Sequence, residues 1–270
     1  MGQLEQSVLN VFSFHFSSNS TGDTTVDNQL LFYKRIVSLN PAAHGRLHIA
    51  PSEDVGYARV SNSVPLIGPE FSEAGKEYPI AFGKAGDGQF VPVAVLGLND
   101  GENLFVNGAG RWIGHYIPAF VRRYPFVPAE QAEDKQLVVC FDETSPRFNE
   151  TAGEPLLVDG EPSAYLQQII GFLREFHAES QRTAQFAATL HELDLLTERR
   201  ADAVSPSGER YSLSGLWVVD QARFQKIGSD ALDSLFQTGW LGLIYLHLAS
   251  LSNFARLLER KAAASTEKPH

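Results

Sequence analysis

Arg111, Trp112, His115, Tyr116, Arg122, Arg123 and Tyr124 lie in the stretch RWIGHYIPAFVRRYPFVP (Arg111–Pro128), where cationic, aromatic and proline residues are denser than anywhere else in the chain. Guanidinium forks match the paired oxygens of a carboxylate, and Trp, Tyr and Arg are over-represented where proteins bind one another. The stretch therefore suits a small anionic ligand or a protein partner. If there is any reaction, His115 is the natural proton carrier. A plainer account also stands: an aromatic corner whose arginines lay their stems on apolar surface or cap the carbonyls of a short helix. No spacing here or elsewhere matches a known nucleophile, metal site or phosphate loop, so no catalytic residue is assigned and the expectation leans away from an enzyme.

The other chemistry-bearing residues are weaker candidates. His44 and His48 are four apart, which on a helix would place two ligands on one face. Gly45, Pro41 and Pro51 argue against a helix there, and no third ligand follows. His177, Glu179, His191, Glu192 and Asp194 fall mostly off an apolar helical stripe and read as a solvated face. The glycines of AGDG and NGAG lack the following helix and the Lys-Ser/Thr of a phosphate loop, so they read as turns. Cys140 is the single cysteine and sits in an apolar run, which excludes an intrachain disulfide and fits a reducing, cytoplasmic compartment. Neither metal nor cofactor is expected.

The elements that must position these residues follow from local pattern. Pro118 and Pro125 bound a short helix over Ile117–Tyr124, with Phe120 and Tyr124 on one side and the arginines elsewhere. Short strands are expected at Arg35–Leu39, Leu47–Ala50 and Val64–Ile67, and a short helix at Pro69–Lys76. Tyr78–Phe82 and Phe90–Leu98 form a hairpin across Gly86-Asp87-Gly88, and Lys135–Asp142 is an apolar central strand. Glu143–Gly160 reads as loop. Helical spacing resumes from Pro162 to about Leu193, followed by a hairpin (Thr197–Val204 and Arg210–Val219) and a helix over Ala231–Gln237. Trp240–Arg260 reads as a last, largely buried helix, with Trp240, Leu243, Ile244 and Leu251 in the core, because its first half is apolar on nearly every side.

Short glycine turns between consecutive strands and helices that come late, in blocks, give the expected fold class. It is α+β, an antiparallel-dominated mixed sheet covered by long helices from the C-terminal half. Residues 1–33 read as a loosely ordered extension, 34–262 as one domain and 263–270 as a tail. The formal charge of −10 argues against nucleic acid as a partner, since phosphate binding needs a basic field. No segment has the length and composition of a transmembrane helix, and the N-terminus lacks the basic start of a signal peptide.

Several separated blocks carry a family resemblance: VPLIGPEFSEAGKEYPIAF, VPVAVLGLNDGENLFVNGAGRWIGHYIPAFVRRYPFV, GEPSAYLQQIIGFL, LSGLWVVDQARF and GWLGLIYLHLASLSNFARL. Together, and in order over residues 34–260, they resemble the bacterial SapC family. This is the family named from a surface-layer locus, distinct from the peptide-transporter permease that shares the name. The resemblance implies a neighbourhood of outer-membrane receptors and flavin-dependent halogenase-like proteins, hence surface or nutrient-uptake biology. It brings no catalytic residues. The function expected on this basis is a soluble, non-catalytic accessory or binding protein; the alternative is a small-molecule enzyme or binding protein with an Arg/His/Tyr-lined anion site.

Overall fold

The structure, a computed structural model of the chain, describes residues 15–16, 30–85, 88–131, 136–204, 208 and 210–266. In chain order the strands are β1 (His15–Phe16), β2 (Ile36–Ser38), β3 (His48–Ile49), β4 (Ser63–Pro65), β5 (Ile80–Lys84), β6 (Phe90–Val95), β7 (Phe126–Gln131), β8 (Leu137–Asp142), β9 (Phe148–Asn149), β10 (Glu154–Pro155), β11 (Leu157–Val158), β12 (Glu161–Pro162), β13 (Leu196–Val204) and β14 (Arg210–Val219). The helices are α1 (Pro41–His44), α2 (Phe71–Ala74), α3 (Ala119–Arg122), α4 (Ala164–Glu192), α5 (Gln221–Phe224), α6 (Ser229–Gln237), α7 (Trp240–Ser250) and α8 (Asn253–Thr266). The fold is α+β. Its sheets are antiparallel except for the β1–β7 pair, and the long helices belong to the C-terminal half.

The chain divides into two compact units, one holding the described residues of Val55–Val121 and Glu179–His270, the other those of Asn10–Asp54 and Arg122–Ala178. The first unit is built on a five-stranded antiparallel sheet in the order β13-β14-β5-β6-β4. Every residue of β6 is buried, as an apolar run in an inner strand requires. β14 alternates instead: Tyr211 and Leu213 are buried between exposed neighbours, but the next buried residue is Leu216. The parity switch has a local cause. Gly215 adopts φ 75°, and the register with β13 slips between Arg199 and Ala201, so a β-bulge breaks the alternation between Leu213 and Leu216.

Helix α7 is bolted to this sheet by buried polar contacts. The His247 ring accepts from Val219 N at 3.0 Å through Nε2 and donates from Nδ1 to Ile80 O at 2.9 Å, while Ile80 N donates to Ser250 Oγ at 2.9 Å. Phe186 of α4 meets Phe71, Phe82 and Trp240 at ring separations near 6 Å.

The second unit carries the sheet β1-β7-β8-β2 and smaller pairings of β3 with β9 and β10, and of β11 with β12. Ile49, Phe126, Phe141, Leu156, Leu157, Leu166 and Leu173 form its core. Cys140 is fully buried on β8, and burial pushes its thiol up to about 12, so it packs rather than reacts.

Several expectations are corrected. Residues 143–160 are not plain loop but contain β9, β10 and β11. A one-turn helix does form at Pro41–His44, because Asn40 caps it by accepting from Ala42 N at 2.9 Å. The largest correction concerns Trp240–Arg260, which is two helices, α7 and α8, bent by 40° at residues 251–252. Of Trp240, Leu243, Ile244 and Leu251, only Ile244 is buried; the others are half-buried. Apolar composition all round did not imply burial all round. Only one side of α7 meets the sheet, and Tyr245 stays 60% exposed.

Helix α8 runs on to Thr266, into the stretch read as tail. Residues 1–14 and 17–29 of the expected extension, the turn residues Gly86-Asp87 and Ser205–Ser207, and residues 267–270 lie outside the described residues. Leu30 and Tyr33, at the end of that extension, are buried.

Candidate functional site

The seven residues singled out in sequence divide between the units: Arg111, Trp112, His115 and Tyr116 in the first, Arg122, Arg123 and Tyr124 in the second. In the first unit, the segment before α3 is held by carboxylates. Glu70, buried at the end of a 3-10 turn, accepts from Tyr116 Oη at 2.8 Å, Ala119 N at 2.6 Å and Ile67 N at 2.9 Å. Glu77 Oε1 accepts from both the backbone N and the ring Nδ1 of His115, at 2.7 and 2.6 Å. One carboxylate oxygen thus sets the orientation of the His115 ring, whose side chain is otherwise 97% exposed.

Trp112 stacks on Phe105 at 6.0 Å and donates from Nε1 to Tyr78 Oη at 3.1 Å; Tyr78 Oη in turn donates to Tyr116 O. Burial raises the Tyr78 phenol far above its ordinary value, so it stays a neutral donor. The backbone passes very close to these groups. A Cβ on Gly114 would sit 2.6 Å from Glu77 Oε2 and 2.8 Å from both Trp112 Nε1 and Tyr78 Oη, so any larger residue would have to displace these side chains. Arg111 is exposed, its backbone N donating to Asn107 Oδ1 at 2.9 Å in a turn.

His115 and Tyr116, but not Arg111 or Trp112, line a cleft of about 380 Å³, together with Glu73, Lys76, Glu77, Arg256 and Arg260. Lys76 Nζ pairs with Glu73 Oε1 at 2.5 Å, Arg256 Nη1 donates to Lys76 O at 3.0 Å, and the Arg260 guanidinium stands 4.3 Å from the Phe105 ring centre. Sequence reading missed Glu73, Lys76, Glu77, Arg256 and Arg260. The only available signal was the i, i+4 spacing of the two arginines, which puts them on one helical face.

In the second unit the two adjacent arginines part company. Arg122 is exposed, 5.6 Å from the Phe172 ring, whereas Arg123 is 3% exposed, 5.0 Å from Phe176 and 5.8 Å from Tyr33. Burial lowers the Arg123 pKa and raises Tyr33 to about 12, the guanidinium partly opposing the latter. Tyr124 is buried edge-on to Tyr33 at 5.3 Å, with its Oη 3.4 Å from Asp142 Oδ2. Asp142 also accepts from Lys34 N, Arg35 N and Thr144, so this carboxylate ties three segments of the unit together.

The remaining candidates do not assemble a metal centre. His44 Nδ1 accepts from Asn40 N at 2.9 Å and His48 Nδ1 faces Arg46 O at 3.0 Å. Among the described residues no group of three or more His, Cys, Asp or Glu side chains could hold a metal ion. His177 departs from the solvated face expected for it, being mostly buried and paired with Glu130 at 2.8 Å.

A second surface feature lies on α6 and α7, which contact one another in the first unit. Phe236 is 66% exposed, and Leu232, Tyr245 and Leu246 are exposed as well. Among the described residues no single helix is long and apolar enough to cross a membrane.

Comparison with known proteins yields one finding: the family model described as SapC matches residues 39–257. No curated protein and no solved structure matches the chain.

Proposed function

The chain belongs to the SapC family, and from that premise we propose that it is a non-catalytic accessory protein that binds a protein partner from a surface-layer or outer-membrane nutrient-uptake system, acting in the cytoplasm. The observation that carries this reading is the apolar side of α6 and α7. A helix as apolar as α7 would ordinarily be covered, yet its Tyr245 is 60% exposed, and Phe236 of the neighbouring α6 is 66% exposed. Large apolar residues clustered on neighbouring elements mark interaction surfaces, and aromatic side chains dominate binding hot spots.

Photo-cross-linking in the native host tests the proposal. A photoreactive residue in place of Phe236 should form an adduct with a protein of such a system, and the same residue in place of exposed Val158 should not. Equal labelling at both positions, or adducts at Phe236 confined to abundant unrelated proteins, would refute it.

A further inference from the structure

We propose that the cleft lined by Arg256 and Arg260 of α8, Lys76, His115 and Tyr116 is a binding site for a small molecule bearing one carboxylate group. Arg260 is the reason. Its guanidinium lies 4.3 Å from the centre of the buried Phe105 ring, and among the described residues it makes no hydrogen bond or ion pair. A guanidinium backed by an aromatic ring is held in plane with its N–H edge available, and that edge matches two carboxylate oxygens.

Among the neighbours the uncommitted polar groups are mostly donors. Glu73 is taken by Lys76, and Glu77 Oε1 by the two nitrogens of His115, while Arg256 uses Nη1 on the Lys76 carbonyl and keeps its other N–H groups. Glu77 Oε2 is buried, without a hydrogen-bond partner among the described residues.

Charge and size narrow the class. Three cations, Lys76, Arg256 and Arg260, face two carboxylates, Glu73 and Glu77, leaving one positive charge. A monocarboxylate balances it, whereas a phosphate dianion would bring uncompensated charge beside two glutamates. The cleft of about 380 Å³ falls within the range of roughly 300–1,000 Å³ usual for small-ligand sites. His115, oriented by Glu77, presents Nε2 at the rim to whatever the carboxylate carries.

The site is separate from the apolar side of α6 and α7, so failure of either proposal leaves the other standing. The test is an NMR titration of the full chain with sodium benzoate, and separately with inorganic phosphate. Benzoate should shift the Arg260 Nε–H and His115 ring signals saturably, with phosphate binding weaker. Arg260→Gln should weaken benzoate binding about tenfold or more, Arg260→Lys should also weaken it because the fork is lost while the charge remains, and exposed Arg174→Gln should change nothing. Should Arg260→Gln fail to fold, the lysine variant carries the same comparison. Shifts that never saturate, phosphate binding as tightly as benzoate, or wild-type affinity in the Arg260 variants would overturn the proposal.

Discussion

The Arg123 guanidinium stands 5.0 Å from Phe176 and 5.8 Å from Tyr33 in the interior of its unit, while the next residue towards the N-terminus points Arg122 outwards over Phe172. Recognition can use only the second of these in the folded state. Arg123→Ala should cost about 2–5 kcal/mol, as large-to-small changes in a core do, and Arg122→Ala under about 1 kcal/mol; urea titrations of the two variants decide it, and equal losses would contradict the burial. His247 gives a pH-dependent counterpart. Its neutral ring accepts from Val219 N and donates to Ile80 O, and burial lowers its pKa from 6.5 to about 4. The unfolded chain therefore takes up the proton first as pH falls. Stability is intact above about pH 6.5 and lost towards pH 4, by about 2 kcal/mol at pH 5. A His247→Gln variant should lose about that much less between pH 7.5 and 5 than the wild type. His44, whose pKa burial also lowers, acts in both proteins alike and drops out of the comparison. Parallel stability curves would show that His247 does not govern the acid limb.

At the scale of elements, α7 has one working side. Ile244 is fully buried and His247 and Ser250 reach the sheet, but Leu246 and Tyr245 face solvent. Ile244→Ala should accordingly cost about 2–5 kcal/mol and Leu246→Ala less than about 0.5 kcal/mol. Similar large losses at both positions would mean that α7 is covered on both sides in solution. α4 is held differently: Leu166, Leu173 and Phe176 are buried along its first half and Phe186, Ala187 and Leu190 along its second, the spacing of an apolar stripe with a polar face opposite.

For the whole molecule, a formal charge of −10 sets a field in which the cationic group of Lys76, Arg256 and Arg260 is a local exception. The apolar side of α6 and α7 raises the question of a membrane, and α7 with α8 is long and apolar enough for a span only as a pair bent by 40°. α8 brings Arg256, Glu259, Arg260 and Lys261 within six residues, charges that a bilayer interior would penalise by about 2.5–3.5 kcal/mol per basic residue. The protein should therefore stay in the aqueous phase on Triton X-114 separation. Recovery in the detergent phase would assign the pair to a bilayer.

What the sequence determined by itself is what local chemistry decides. The hairpin β5–β6 follows from a glycine turn between apolar runs, β13–β14 from alternation around Ser-Pro-Ser-Gly, and α4 from one sustained helical stripe. Family membership was legible too, because its blocks are linear in the chain. The surface of the molecule was not legible, because burial is a property of what lies opposite. Arg122 ends α3 and Arg123 is the next residue, yet only the packing of Tyr33 and Phe176 decides which is interior. The uniformly apolar pattern of α7 contains no mark of which side meets a sheet made from strands far away in sequence. The cleft joins residues 73–77, 115–116 and 256–260, three segments whose relation exists only once α8 has docked, and no spacing within any one of them announces a site.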